Sequence, residues 1–367
     1  MRPEQAIREE GPSVPGAMDV RPIVEESMDR VLITGATGFV GSNLARRLVA
    51  SGQVVRCLAR RSASWARAAG LDVEWALGDV TDFESLRAAV AGCSVVYHLA
   101  GCLRTHQIAQ FYRVNQQGTH NVLRACARLR PAPVVVLVSS LAAAGPSQPD
   151  RPLVETDPPH PVSHYGRSKR GAELVAQAFA SEVPITIVRP PIVLGEHDRQ
   201  GLAMFQCIAW TGVHLVPGSR SHRFSVLHIH DLTAALVAAA ERGSRLAPAC
   251  EPSTPQDRSG YYFLADDEHP TYAELGQLIA QALGRPTVRV VRVPLPVVWT
   301  VAAAAELLGR IGRPAGYLNF DKAREIAAGS WTCSAQRARE QLGFRPEAPL
   351  AERIGQTAAW YRQAGWL

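Results

Sequence analysis

The sequence predicts an α/β fold: a doubly wound parallel sheet followed by a smaller, mostly helical C-terminal region. Three observations predict it. Short, almost wholly apolar runs recur through the first half of the chain, helix-like segments separate most of them, and the first run ends in a glycine-rich turn. Alternating strand and helix patterns mark βαβ units. Strands without polar alternation belong to a sheet covered on both faces.

Residues 1–28 are rich in Pro, Gly and Glu, lack a steady period and read as a disordered extension. Val31–Thr34 is the first strand, and the glycine turn leads into a helix ending near Ala50. Gln53–Leu58, Val73–Ala76, Val95–Leu99, Val134–Val138 and Ile185–Val188 are the next strands. After Pro191 the rhythm changes, with Gly, Pro, His and Arg dominating to about His222. Two late strands, Phe224–Ile229 and Tyr261–Leu264, flank a helix, and helices are expected over 271–283, 296–309, 320–328, 335–342 and 350–363.

With 367 residues, 47% hydrophobic and 20% charged, the chain is globular in composition and fits one large or two joined domains. No uninterrupted apolar run reaches the ~18–20 residues that span a bilayer, and residues 1–28 hold no apolar signal core. Seven cysteines without a CxxC pair indicate a reducing compartment, so the expected location is cytoplasmic. The net charge of +6 is spread along the chain and gives little support to nucleic-acid binding. Only two basic residues are lysines, Lys169 and Lys322, which makes each of them informative.

The turn Thr34-Gly-Ala-Thr-Gly-Phe-Val-Gly41 places Gly35, Gly38 and Gly41 at a strand–helix junction. Glycines there allow a tight turn and close backbone approach to a pyrophosphate, while the helix N-terminus offers free N–H groups and a positive dipole end. Thr37, Phe39 and Val40 belong to the same turn. At the end of the second strand a carboxylate would favour NAD(H) by accepting from ribose hydroxyls. This chain reads Ala59-Arg60-Arg61, and Arg60 and Arg61 suit a 2′-phosphate. The expected cofactor is therefore NADP(H), with NAD(H) as the alternative. Asp79 and Val80 follow the third strand, where Asp79 could accept from an adenine amino group or cap the next helix. Leu99, Ala100 and Gly101 close the fourth strand with small residues beside the cofactor.

Ser139 and Ser140 end the fifth strand, and Tyr165 and Lys169 follow at i and i+4, which share one helical face. A tyrosine is a poor base at neutral pH, but a nearby ammonium favours its phenolate and fits it for proton transfer. His228 and His230 alternate on a strand without further ligands at a recognisable spacing, so no metal site is expected.

These motifs together resemble the extended short-chain dehydrogenase/reductase family, also called the NAD(P)-dependent epimerase/dehydratase superfamily. The resemblance rests on TGATGFVG (34–41), GDV (78–80), HLAG (98–101), Val114-Asn115-x-x-Gly118-Thr119, VSS (138–140), Tyr165-x-x-x-Lys169 and Arg189-Pro190-Pro191-x-Val193-x-Gly195, and it covers roughly 29–367. It implies that Tyr165 is the general acid/base, that Lys169 is its partner and a ribose ligand, and that Ser140 donates to the substrate oxygen. Ser139 would sit nearer the nicotinamide. Asn115 would be the kink asparagine supporting a proton relay, and Pro190 to Ile192 would line the nicotinamide face. Residues 29–190, with 224–243 returning to them, would form the NADP-binding domain, and 191–223 with 244–367 the substrate domain.

Two departures from the family pattern bear on substrate. Leu141–Ala144 carries no acidic pair of the dehydratase kind, and Phe224 stands where nucleotide-sugar members place an arginine seven residues before the aspartate that Asp231 resembles. The chain is more similar to the branch of 3β-hydroxysteroid dehydrogenases and dihydroflavonol reductases. The expected activity is interconversion of a secondary alcohol and a ketone on a small or medium apolar molecule. A nucleotide-sugar epimerase, or a non-catalytic dinucleotide-binding subunit or redox sensor, are the alternatives. Trp210, Trp299, Trp331 and Pro294–Leu308 are candidates for the pocket or for ordinary core. The expected partner is a small molecule, without nucleic acid or a transmembrane segment, and a homodimer is the assembly to test.

Overall fold

A computed structural model describes residues 30–63, 66–218, 221–248, 258–310 and 318–367; the expected extension over 1–28 lies outside them. The strands are β1 Arg30–Thr34, β2 Val54–Ala59, β3 Glu74–Leu77, β4 Cys93–His98, β5 Val134–Val138, β6 Ile185–Arg189, β7 Ile192–Leu194, β8 Val213–Pro217, β9 Val226–His228, β10 Tyr261–Phe263 and β11 Arg289–Val293. Seven of them form one sheet in the order β10-β6-β5-β4-β1-β2-β3, and every neighbouring pair is parallel. The order reverses beside β1, which opens a crevice at the carboxyl ends of β1 and β4.

Both faces of the central strands are covered, which is why those strands are mostly apolar. Helices Phe39–Ala50 and Ile229–Arg242 bury Leu44, Leu48, Leu232 and Leu236 on one side. Helices Phe83–Val90, Gly118–Cys126 and His164–Ala178 bury Leu86, Val122 and Ala176 on the other. A third cluster, with Phe205, Ile208, Ile279, Ile354 and Tyr361, forms the core of the late region. Helices Leu295–Arg310 and Phe320–Ala327 pack on each other through Val298, Ala302 and Ala323, apart from the larger cores.

The late strands differ from expectation. Of Phe224–Ile229, Val226–His228 forms the strand and pairs with β7, Phe224 makes a single bridge to Trp331, and Ile229 already begins the next helix. Tyr261–Phe263 lies outside the stretch assigned to the dinucleotide domain, yet it pairs with β6 as the edge of the main sheet. The parallel pair β8–β11 was not anticipated, because its strands lie 76 residues apart at Val213 and Arg289.

Candidate active site

The crevice is built from strand ends. At β1 and β4, Thr34 Oγ1 and His98 Nδ1 lie 2.7 Å apart, and the Ala100 amide donates to Thr34 Oγ1 over 3.2 Å. Gly35 has φ +74°, and a Cβ there would stand 2.7 Å from the Ala100 nitrogen, so the two loops meet only through glycine. Burial drives the His98 pKa down to about 3, aided by the Lys169 charge, so His98 is neutral and structural at physiological pH.

Helix Phe39–Ala50 begins after Gly38 with no side-chain cap and no acidic residue in its first turn. Its first N–H groups and its positive dipole end are available to an anion, so the turn Gly35–Gly41 fits the pyrophosphate of a dinucleotide. Beside it, Arg67 Nη1 donates to the Thr37 carbonyl over 3.4 Å, which brings to the turn a guanidinium that the sequence did not single out. Arg60 and Arg61 are exposed at the end of β2, after the buried Ala59. Burial raises the pKa of Cys102, and the Arg104 backbone hydrogen bond and the Arg60 charge oppose that rise. Asp79 Oδ1 accepts from the Thr81 amide and hydroxyl at 2.8 and 2.9 Å. The next helix is capped by Asp82, not by Asp79.

On the other side of the crevice, Ser163 caps helix His164–Ala178 and fixes the first turn that carries Tyr165. The Ser140 hydroxyl accepts from the Ala142 amide at 3.1 Å and acts to lower the pKa of the Tyr165 phenol. One turn on, the buried Lys169 sends Nζ to the Val138 carbonyl at 2.6 Å. Burial lowers the Lys169 pKa to about 8 against the support of Glu173. Burial raises the Tyr165 pKa to about 12, with the Ser140 hydrogen bond opposing it; Glu325 raises it further and Lys322 lowers it. Lys322 thus also acts on the phenol, an ammonium that the sequence pattern did not place there.

Asn115 is buried in a π-helical turn, Tyr112–Gln117. Its Oδ1 accepts from the Cys102 amide at 2.7 Å, and its Nδ2 donates to the Cys102 carbonyl at 3.1 Å and to Ser168 Oγ at 2.8 Å. Ser168 Oγ in turn donates to the Tyr165 carbonyl over 2.7 Å. Asn115 therefore links the loop after Gly101 to the helix of Tyr165.

Ser139 departs from expectation. Its hydroxyl is buried and donates to Glu173 Oε1 over 2.6 Å, turned away from the crevice. Glu173 also accepts from Arg189 Nε and Nη2 at 2.8 and 2.7 Å and from Arg170 at 3.0 Å. Burial alone would raise the Glu173 pKa; Arg189, Ser139 and Arg170 hold it below the usual carboxylate range. Pro190 is buried, while Ile192 remains exposed at the edge.

The cleft at Tyr165 is lined by Leu103, Phe111, Gln200, Asp321, Lys322 and Glu325, among others. Neither Trp210, Trp299 nor Trp331 lines it: Trp210 is largely exposed, Trp299 lies against Phe320, and Trp331 Nε1 donates to the Glu325 carbonyl. Lys322 Nζ lies 3.0 Å from Glu325 Oε2, and Ser163 Oγ donates to Glu325 Oε1 over 2.8 Å. Both lysines of the chain thus flank Tyr165. The rarity of Lys322 was the one sequence signal that could have brought this helix into the site. His230 Nε2 meets Glu196 at 2.8 Å, and among the described residues no group of three or more His, Cys, Asp or Glu converges as a metal site.

A glycine turn on β1 and a Tyr–Lys helix at one crevice meet a direct comparison with known sequences. The profile of the NAD dependent epimerase/dehydratase family matches residues 31–249. The chain belongs to this family. The ceramide reductase of Caulobacter vibrioides is 32% identical over 92% of this chain and 96% of its own length. Sterol demethylase protein B of Methylococcus capsulatus is 28% identical over 92% and 99%. Among solved structures, the UDP-glucose 4-epimerase of Thermus thermophilus in complex with NAD superposes with a TM-score of 0.70 at 21% identity, covering 91% of this chain and 99% of that one; it shares the fold. The protein is an NAD(P)-dependent enzyme of the extended short-chain dehydrogenase/reductase type. None of its described helices is long and apolar enough to cross a membrane.

Proposed function

We propose that this family member is a ketoreductase that uses NADP(H) to interconvert a ketone and a secondary alcohol on an apolar, lipid-like molecule. The observation that carries the reading is the Tyr165 phenol, its pKa raised by burial, beside Ser140 in a cleft whose wall sets Leu103 and Phe111 among Arg104, Gln200, Asp321 and Lys322. The bound nicotinamide supplies the hydride. The residues supply the rest. Ser140 donates to the carbonyl oxygen, Tyr165 gives its proton to the oxygen as charge develops there, and Lys169 draws the ribose into place and favours the phenolate left behind. A phenol with a pKa near 12 is protonated at neutral pH and so can give its proton to the carbonyl oxygen during reduction. Arg60 and Arg61, with Ala59 in place of an acid, support the preference for a 2′-phosphate.

Two features favour an apolar substrate over a nucleotide sugar. Arg223, one step from the expected diphosphate-binding position, donates to the His269 carbonyl over 2.9 Å. Asp231 is tied to Arg353, with Nε–Oδ2 at 3.0 Å. The relatives named for ceramide and sterol chemistry point the same way.

The test follows NADPH absorbance with a panel of long-chain and polycyclic ketones, and in parallel with UDP-sugars. Oxidation of NADPH by members of the ketone panel is expected. Interconversion of UDP-sugars without net cofactor turnover, by protein that carries cofactor as purified, would replace this reading with the epimerase.

A further inference from the structure

Tyr165, Lys169 and Glu173 follow one another at intervals of four residues along helix His164–Ala178, so they stand on one side of it, each about a turn beyond the last. The first two belong to the candidate site; Glu173 is wholly buried behind it. Its carboxylate ties the helix to two strand ends at the edge of the crevice. Oε1 accepts from Ser139 Oγ, just past β5, over 2.6 Å. Oε1 and Oε2 accept from Arg189 Nε and Nη2, at the end of β6. Each of these partners adjoins a residue expected in the site: Ser139 precedes Ser140, and Arg189 precedes Pro190.

The helix grips the same strand end a second time. Lys169 Nζ donates to the Val138 carbonyl, so Val138 and Ser139 are held by residues one turn apart on the helix. Ser140, the next residue, acts on the Tyr165 phenol. Stability alone gives no reason for a carboxylate at this place. Burying an ion is costly, and a buried ion pair can often be replaced by apolar residues without loss. Charge is what such a replacement would lack. Glu173 is a negative charge that acts on Lys169, and it opposes the effect of burial there. The other ionisable groups nearby do not take that part: His98 of β4 is neutral, Arg170 and Arg189 are cations held by Glu173 itself, and Cys102, Lys322 and Glu325 act on Tyr165.

We infer that Glu173 is a positioning residue of the reaction: its carboxylate sets the strand end that carries Ser140, and from one turn along the helix it keeps Lys169 cationic. The two effects are separable, since the first runs through the Ser139 hydroxyl and the second through charge. Neither requires that Glu173 touch substrate or cofactor. The inference rests on the roles proposed above for Ser140 and Lys169. It holds whether the substrate is a lipid-like ketone or a nucleotide sugar.

The experiment is the pH profile of kcat/KM for wild type, Glu173→Gln, Glu173→Asp and Ser139→Ala, with saturating NADPH, which also keeps weakened variants folded. The second substrate is the ketone or UDP-sugar that wild type converts fastest, and NADPH affinity is measured by tryptophan quenching. Wild type should lose kcat/KM as pH rises through about 8. Glu173→Gln keeps the size of the side chain and removes its charge, so this high-pH limb should move down by about one pH unit, at the low end of what a nearby opposite charge does. Glu173→Asp keeps the charge on a shorter stem, so the limb should return to its wild-type place while kcat stays lowered. Ser139→Ala leaves every charge in place and removes the tether. Its kcat should fall by roughly 10- to 100-fold, with the limb and the NADPH affinity unchanged. If Glu173→Gln does not fold, the other two variants carry the test. A Glu173→Gln limb at the wild-type pH overturns the inference. So does Ser139→Ala with wild-type kcat, or a Glu173→Asp limb displaced by a full unit. A wild-type profile flat to pH 9 overturns the role of Lys169 itself, and this inference with it.

Discussion

Asp321 Oδ2 accepts the backbone N–H of Tyr165 at 2.9 Å, and Oδ1 accepts that of His164 at 2.7 Å. A carboxylate from the late helix Phe320–Ala327 therefore closes the N-terminus of the helix that carries the phenol, where a negative charge also complements the helix dipole. With Lys322 and Glu325 from the same helix lining the cleft, the late region completes a site otherwise built on strand ends.

Asp321→Ala should accordingly act through Tyr165. Loss of the two acceptors costs about 0.5–2 kcal/mol of helix-terminal stability. Misplacement of the phenol should lower kcat by roughly 10- to 100-fold. Cofactor affinity, measured by titration with NADPH, should stay within about twofold, because the glycine turn is untouched. An equal fall in cofactor affinity would assign Asp321 a general folding role.

Tyr165→Phe keeps the ring and its contact with Phe111, whose centroid is 6.2 Å away. It removes only the transferable proton, so turnover should fall by roughly 10²–10⁴-fold with cofactor binding unchanged. A variant retaining most of its NADPH oxidation would overturn the acid assignment.

Cofactor choice tests the end of β2. NADP(H) should bind more tightly than NAD(H) by about 10- to 150-fold, the equivalent of a charge-assisted hydrogen bond worth ~1.5–3 kcal/mol. Arg60→Ala should erase most of that difference by weakening NADP(H) alone. Ala59→Asp should turn the preference toward NAD(H), since a carboxylate repels the 2′-phosphate. Tryptophan quenching on titration with each cofactor measures all three proteins.

The Lys169 pKa near 8 sets a pH limit. The ammonium is present below that value and lost above it, so kcat/KM should fall as pH rises through about 8. Stability should move the other way. The unfolded chain still holds this proton up to its ordinary pKa of about 10.4, so the lysine's contribution to stability grows with pH between about 8 and 10.4. A kcat/KM profile that is flat to pH 9 would remove Lys169 from the reaction.

Glu173→Gln leaves the fully buried Arg189 without its counter-ion, and Ser139 and Arg170 lose the same acceptor charge. Breaking a buried pair from one side costs about 3–5 kcal/mol. The urea midpoint should fall accordingly. An unshifted midpoint would show that Arg189, stacked on Tyr261 at 4.7 Å, is held by its aromatic neighbours instead.

What the sequence determined by itself is what depends on neighbours in the chain. The strands β1 to β6 were legible because a strand buried on both faces must be apolar along its whole length. The turn Gly35–Gly41 was legible because a strand-to-helix reversal that exposes backbone N–H groups needs glycine at fixed spacing. Tyr165 and Lys169 were legible as a pair because i and i+4 share a helix face whatever the rest of the chain does. Tertiary structure alone decided the contacts made across long separations, which leave no period in the sequence. It brought Asp321 to Tyr165 across 156 residues and Lys322 to the phenol, turned Ser139 inward to Glu173, and moved Tyr261–Phe263 to the edge of the main sheet. It also set the apolar run of helix Leu295–Arg310 outward: a run of valine and alanine reads the same in a core or on a surface, and only the placement of helix Phe320–Ala327 against one side decided which arc is left exposed.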